Sequence, residues 1–312
     1  MNNHVIGFYK KRWIFFILSI TIMVVGIIAV FFKGVQLDIQ FKGGALLKYS
    51  YVGDLNSDDV SDVASKLLNK PVTTQETTNL VTGDKRLVIN ISGNNGIEAG
   101  DQEIFDTELK KAYPSSNLEL AESSMVEPFF GKRFLRRGII AILLSALLVM
   151  CYVWIRFKNM GGLSAGVMAL VALLHDVLIV FFTCVFFGIA IGDAFIAVAL
   201  SIIGYSINDT IVIYDRIREN TNTHRSLPVD RIADLSISQS MMRSIITNVA
   251  VLISVSLIYI LAFANSIQSI QSFALPMAIG SISGCYSTIC IAGPLWVMWK
   301  KRKPKQKAAL NR

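Results

Sequence analysis

Leu163–Tyr214 reads LSAGVMALVALLHDVLIVFFTCVFFGIAIGDAFIAVALSIIGYSINDTIVIY, and the fold turns on how many times this stretch crosses a membrane. One pass takes about 20 apolar residues at a rise of about 1.5 Å each, so the stretch is too long for a single crossing. Gly188-Ile-Ala-Ile-Gly-Asp193 supplies a break, which leaves Leu163–Phe187 and Ala194–Tyr214 as two spans. Outward from there, Trp13–Phe32, Gly138–Ile155, Ser244–Ala264 and Ser272–Trp299 are also long and nearly free of charge, making six. Composition agrees: 53% of residues are hydrophobic, 17% are charged and mean hydropathy is +0.53, values of a membrane-class chain. The predicted fold is an α-helical polytopic membrane protein with six transmembrane helices and one soluble domain, residues 33–137, between the first and second.

Lys and Arg in the short connections set the orientation. Lys10, Lys11 and Arg12 precede span 1, and Arg156 and Lys158 follow span 2. Arg216, Arg218, Arg225, Arg231 and Arg243 fall in a predicted loop, 215–243, between spans 4 and 5, and a basic tail, 300–312, follows span 6. The connections Gly188–Asp193 and Asn265–Gln271 carry neither residue. Both termini (1–12 and 300–312) are therefore expected in the cytoplasm, and residues 33–137 in the periplasm. Lys132, Arg133, Arg136 and Arg137 sit on that outer side against the trend, but connections this long largely escape the rule. The net charge of +8 is mostly cytoplasmic fringe and attracts anionic lipid headgroups; nothing else supports nucleic-acid binding. Cys151, Cys184, Cys285 and Cys290 all lie within spans, so neither a disulfide framework nor a CxxC metal site is expected. The first apolar stretch is too long for a signal-peptide core and lacks a small-residue cleavage site, so it stays as span 1.

Within 33–137 the chain becomes polar and rich in β-formers. Ala45–Val52 alternates like a strand; Asn56-Ser-Asp-Asp opens a helix with Val60, Val63, Ala64, Leu67 and Leu68 on one face, ended by Pro71. Val72–Leu80 and Arg86–Ser92 read as strands around a Thr82-Gly83-Asp84 turn. Ile97–Tyr113 is a second helix, closed by Pro114, and Asn117–Met125 a last strand. The order β-α-β-β-α-β is that of a ferredoxin-like α+β domain. It contains no His or Cys and its acids are scattered, so it reads as a binding or moving part without a catalytic cluster.

Ionisable residues inside spans are costly and mark function by default. Span 3 carries His175-Asp176. Span 4 carries Asn208-Asp209, with Asp215 and Arg216 at its cytoplasmic end, and span 5 opens with Arg243. Tyr205, Asn208, Asp209, Val212 and Arg216 recur at helical spacing, giving span 4 a polar face that must meet protein or water. A carboxylate in a low-dielectric site holds its proton more tightly unless a cation compensates. Asp209 could then load and release a proton near neutral pH, with Arg243 alternately pairing and releasing it; a static Asp209–Arg243 staple between spans 4 and 5 explains the same residues. Asp176 beside His175 reads as a helix contact. Gly162/Gly166 and Gly280/Gly284 are small-xxx-small pairs suited to close helix packing. Intramembrane aspartyl proteolysis would need a Gly-x-Gly-Asp motif, whereas Asp209 follows Ser206-Ile-Asn208; a rhomboid-type serine would need Gly-x-Ser-Gly, whereas the chain offers Ser281-Ile-Ser-Gly284. Both near misses count against an enzyme.

Gly204-Tyr-Ser-Ile-Asn-Asp-Thr-Ile-Val-Ile-Tyr-Asp-Arg-Ile-Arg-Glu-Asn220 resembles the signature of the SecF family, translocase subunits of the resistance-nodulation-division superfamily. Ala172-Leu-Leu-His-Asp-Val-Leu178, Arg243-Ser-Ile-Ile-Thr247, Pro276-Met-Ala-Ile-Gly280 and Ser283-Gly-Cys-Tyr-Ser287 agree with it, so the resemblance runs from span 1 to span 6. It implies an inner-membrane subunit that pairs with SecD, works beside the SecYEG channel and YajC on exported preproteins, and uses the proton-motive force without a cofactor or metal. It also implies a part in proton passage for Asp209 and Arg243, favouring the switch over the staple. A twelve-span small-molecule exporter of the same superfamily and a non-transporting scaffold are the competing classes; six spans and one outer domain argue against the former. After span 1 the family commonly has Gly-Ile-Asp-Phe-x-Gly-Gly, whereas this chain has Asp38-Ile-Gln-Phe-Lys-Gly-Gly44. Gln40 removes a carboxylate, and Gly43 and Gly44 keep the permissive backbone of a strand-entry turn.

Overall fold

Among the described residues, six helices are long and apolar enough to cross a bilayer. The computed structural model describes residues 5–310 apart from 39–40, 42–43, 54, 69, 71, 79–83, 93–98, 127 and 266. Span 1 is α1 (Arg12–Lys33). The soluble domain follows as β1 (Gly44–Tyr51), α2 (Ser57–Leu68), β2 (Val72–Thr78), β3 (Lys85–Ser92), α3 (Ala99–Ala112) and β4 (Glu119–Val126). Spans 2 to 5 are α4 (Pro128–Arg156), α5 (Gly162–Phe187), α6 (Asp193–Thr223) and α7 (Val229–Ala264). Span 6 consists of α8 (Gln268–Ser287) and α9 (Gly293–Leu310) joined by a π-helical turn, Thr288–Ala292.

The domain is ferredoxin-like, with strand order β2-β3-β1-β4 and every pair antiparallel. Strand alternation puts Ala45, Leu47 and Tyr49 opposite Ile91, Ile89 and Leu87, all buried. Val60 and Ala64 of α2 and Phe105 and Leu109 of α3, each pair one turn apart, close over that face. Leu67, read as part of the buried helix face, is instead 44% exposed; α2 touches the sheet with a narrower stripe. Pro71, Thr82, Gly83, Gln40 and Gly43 lie outside the described residues. Gly44 begins β1 at φ 142°, a conformation that a side chain disfavours.

Helices outrun the apolar runs. The 215–243 segment, read as a loop, is helical except at 224–228, because α6 continues to Thr223 and α7 starts at Val229. Charge ends the apolar run there without ending the helix: Ile217, Ile232, Ala233 and Ile237 still pack inward, and Asn220 Nδ2 donates to Ser236 Oγ (2.8 Å) and Gln239 Oε1 (2.9 Å). Helix also extends span 2 back to Pro128 and span 6 forward through the basic tail to Leu310. Span 6 begins at Gln268, four residues before the predicted Ser272.

Span 3 stops where Gly188 adopts the left-handed conformation (φ 68°), and Ile189 N–H caps the Cys184 carbonyl at 2.8 Å. The connection that follows is bonded to the chain leaving span 1. Ile191 N–H donates to Gln36 O (2.7 Å) and Asp38 N–H to Ile191 O (3.0 Å), a parallel bridge of Leu37 and Ile191. Phe41 seals it, buried with Cys184 and Ile191. The chain entering the soluble domain is thus tied, seven residues before β1, to the connection that leads into span 4. Inside the bundle, spans 3, 4 and 6 bury 50%, 50% and 67% of their apolar windows, against 11% for spans 1, 2 and 5. The interior of the bundle is therefore built by spans 3, 4 and 6.

Candidate functional site

Glycine lets these spans approach. A Cβ on Gly162 would overlap the Trp154 carbonyl of span 2, and one on Gly166 would lie 3.1 Å from the Met150 carbonyl oxygen. On span 6, a Cβ on Gly280 would fall 2.7 Å from Val180 Cγ2 and 2.8 Å from Ile202 Cγ1, and one on Gly284 3.2 Å from Ser206 Cβ. Backbone so close brings short hydroxyl side chains within reach of a carboxylate on the neighbouring span.

That carboxylate is Asp176 of span 3, which is 0% exposed. Its Oδ1 accepts from Ser283 Oγ (2.6 Å) and its Oδ2 from Ser206 Oγ and Ser287 Oγ (2.7 Å each). Ser283 and Ser287 sit one turn apart on span 6 and Ser206 lies on span 4, so one side chain ties three helices. A charged side chain at mid-membrane costs about 2.5–3.5 kcal/mol on insertion scales, and an interhelical hydrogen bond contributes about 0.6–2 kcal/mol. Three such bonds offset the cost without a cation. His175 Nδ1 lies 3.2 Å from Asp176 Oδ1. Its Nε2 is buried with no hydrogen-bond partner among the described residues. The imidazole packs on Tyr286, whose hydroxyl donates to the Phe15 carbonyl of span 1 at 2.7 Å.

Ser206 has a second role. Its carbonyl accepts from Thr210 Oγ1 (3.0 Å) and Thr288 Oγ1 (3.3 Å), and those hydroxyls are 3.1 Å apart. Thr288 opens the π-helical turn, a departure from α geometry that recurs at functional sites.

Asp209 follows Ser206 by three residues and is 6% exposed. Its Oδ2 accepts from Asn248 Nδ2 of span 5 at 3.0 Å, and Asn248 also donates to the Ser244 carbonyl at 3.0 Å. It borders a narrow cleft of about 10 Å³, lined also by Tyr205, Thr247, Ser281 and Cys285. An ionised carboxylate offers about four acceptor sites; Asp176 fills most of its own with hydroxyls from two other spans, whereas Asp209 is held from span 5, by Asn248 with Ser244 beside it. Of the two carboxylates, Asp209 is tied to fewer helices.

The other predicted residues divide. Arg243 is exposed and makes no ion pair with Asp209; Asn248 takes the place the staple would have filled. The polar face of span 4 splits: Asp209 points inward, while Tyr205 is 44% exposed and Asn208 is also exposed, on the helix's open side. Asp215 pairs with Arg156 (3.1 Å) and Arg218 (2.9 Å), and Arg216 with Glu219 (2.6 Å) and Gln239 (2.7 Å). These polar contacts lie apart from the buried carboxylates. Among the described residues no group of His, Cys, Asp and Glu is placed to hold a metal. Ser206, Ser283, Ser287 and Asn248 escaped the sequence reading. Serine at i and i+4 in an apolar span was the available signal.

A six-span bundle with this polar interior and one ferredoxin-like domain can be set against known proteins. Residues 105–302 match the family model described as protein export membrane protein SecD/SecF, C-terminal. The chain belongs to this family. It is 30% identical over 308 residues to the protein translocase subunit SecF of Petrotoga mobilis, covering 97% of this chain and 99% of that one. The SecF of Alicyclobacillus acidocaldarius is 32% identical over 95% of this chain and 93% of its own. The SecDF of Bacillus subtilis is 32% identical over 97% of this chain, which spans 39% of that longer protein. Among solved structures, SecDF from Thermus thermophilus superposes with a TM-score of 0.80 at 24% identity, over 95% of this chain and 39% of its own. A SecDF structure in a super-membrane-facing form gives 0.68 at 25% identity. Family membership and the six apolar helices make this a multi-pass membrane protein.

Proposed function

We propose that this chain is an accessory subunit of the Sec protein translocase that works with a SecD partner and uses the proton-motive force to complete preprotein export. The relatives named above as translocase subunits SecF and SecDF support the export role, and the SecDF relatives, whose name joins the two subunits, support SecD as partner. The proton-coupled part rests on one observation: Asp209 is buried, accepts from Asn248 of span 5, and stands at the edge of a narrow cleft between spans 4, 5 and 6. Protonation neutralises it and loosens its hold on Asn248; deprotonation restores that hold and draws Arg243 towards the cleft. The membrane is the bacterial inner membrane, with both termini cytoplasmic. The soluble domain lies outside, where it meets preprotein leaving SecYEG, with YajC nearby, and the Leu37–Ile191 bridge carries movement between that domain and span 4. The role is non-enzymatic.

Asp209→Asn keeps size and hydrogen bonding while removing the titratable proton. In inverted membrane vesicles containing SecD, the wild-type chain should support export that an uncoupler reduces. The Asp209→Asn complex should assemble and export at the uncoupled rate with or without uncoupler. Uncoupler-sensitive export at the wild-type rate in that variant would refute the proposal.

A further inference from the structure

Asp176 lies behind the proton-coupling carboxylate and is linked to it through span 4. We infer that Asp176 is a positioning residue for Asp209: by holding Ser206 it fixes the rotation of span 4 that points Asp209 at Asn248 and the cleft. The inference rests on the reading of Asp209 as the proton carrier.

Ser206 lies three residues before Asp209, less than one helical turn, so a rotation of the helix at Ser206 is felt at Asp209. Ser206 is held at both ends. Its hydroxyl donates to Asp176 Oδ2 (2.7 Å), and its carbonyl accepts from Thr210 and Thr288 (3.0 and 3.3 Å). Asp176 also takes Ser283 and Ser287 of span 6, the helix that lines the other side of the cleft with Ser281 and Cys285. One fully buried carboxylate therefore sets two of the three walls around Asp209. Its three hydroxyl donors hold it to spans 4 and 6 at once. The ionisable groups facing Asp209 are Cys285 from span 6 and Tyr205 from its own helix, and Arg243 from span 5. His175 and Asp176 of span 3 stand behind Ser206.

Infrared titration of the complex with SecD, reconstituted in lipid, reads the carbonyl stretch of a protonated carboxyl against pH. Asp209→Asn should remove one titrating band; if no band is lost, the reading of Asp209 as proton carrier fails, whatever Asp176 does. Ser206→Ala changes no charge and breaks the link alone. It should keep the band and move its midpoint by about one pH unit, a tenfold change in proton binding. Asp176→Asn should also move the midpoint, by more, in a complex that still co-purifies with SecD. If Asp209→Asn removes a band but Ser206→Ala leaves its midpoint unchanged, the positioning role is wrong and Asp176 is a structural tie. Ser206→Ala needs little refolding, so the test stands even if Asp176→Asn does not assemble.

Discussion

Two aspartates one helix apart differ in the donors that hold them. Asp176 has three serine hydroxyls and His175 around it; Asp209 accepts from Asn248 of span 5, and on the proposed reading that bond is the one that loosens when the carboxylate is protonated. Asn248→Ala should therefore impair proton-driven export while leaving SecD co-purification intact, and uncoupler-sensitive export in vesicles measures it. Asp215→Asn makes the contrast. It breaks half-exposed ion pairs with Arg156 and Arg218, worth about 0–1 kcal/mol each, so the thermal midpoint should drop by a few degrees at most and export should persist. The sequence exposes both aspartates, since a carboxylate in an apolar run is conspicuous. It hides their partners, because serine and asparagine are common in spans and become ligands only when close packing places them opposite a charge. The same gap explains why Arg243 was expected against Asp209: matching depth on two helices does not fix which rotation faces inward.

Helices and strands were the most legible level. Apolar length gave the six spans and alternation gave the β-α-β-β-α-β order, because both follow from local periodicity. Element ends were less so, since charge marks where lipid stops and α6 and α7 continue beyond it on inward Ile217, Ile232 and Ile237. The π-helical turn and the Leu37–Ile191 bridge depend on tertiary contacts and left no local signal. Packing at this scale can be tested. Gly280→Val would press on Val180 and Ile202 and should cost about 1–3 kcal/mol, read as a lower thermal midpoint in detergent. Phe105→Ala empties the centre of the soluble domain, where Phe105 is 2% exposed, at about 3–5 kcal/mol. Hydrogen exchange should then accelerate through β1–β4 while the spans stay protected.

The whole molecule has a buried interior and an open periphery. Spans 3, 4 and 6 enclose the polar core, while spans 1, 2 and 5 keep most of their surface uncovered, with Tyr205 and Asn208 of span 4 on open ground. Such a bundle suits a partner of similar build, as the longer SecDF relatives suggest. Orientation belongs to this scale as well: in intact cells, a membrane-impermeant maleimide should label a cysteine introduced at Asn117 in the domain and leave one at Arg225 untouched. Proton uptake tests the central claim most directly. Vesicles reconstituted with the chain, SecD and SecYEG, loaded with a pH-sensitive dye and given a proton gradient, should acidify faster when a preprotein is engaged. Asp209→Asn should abolish that increment; an undiminished preprotein-dependent acidification in Asp209→Asn would contradict the account.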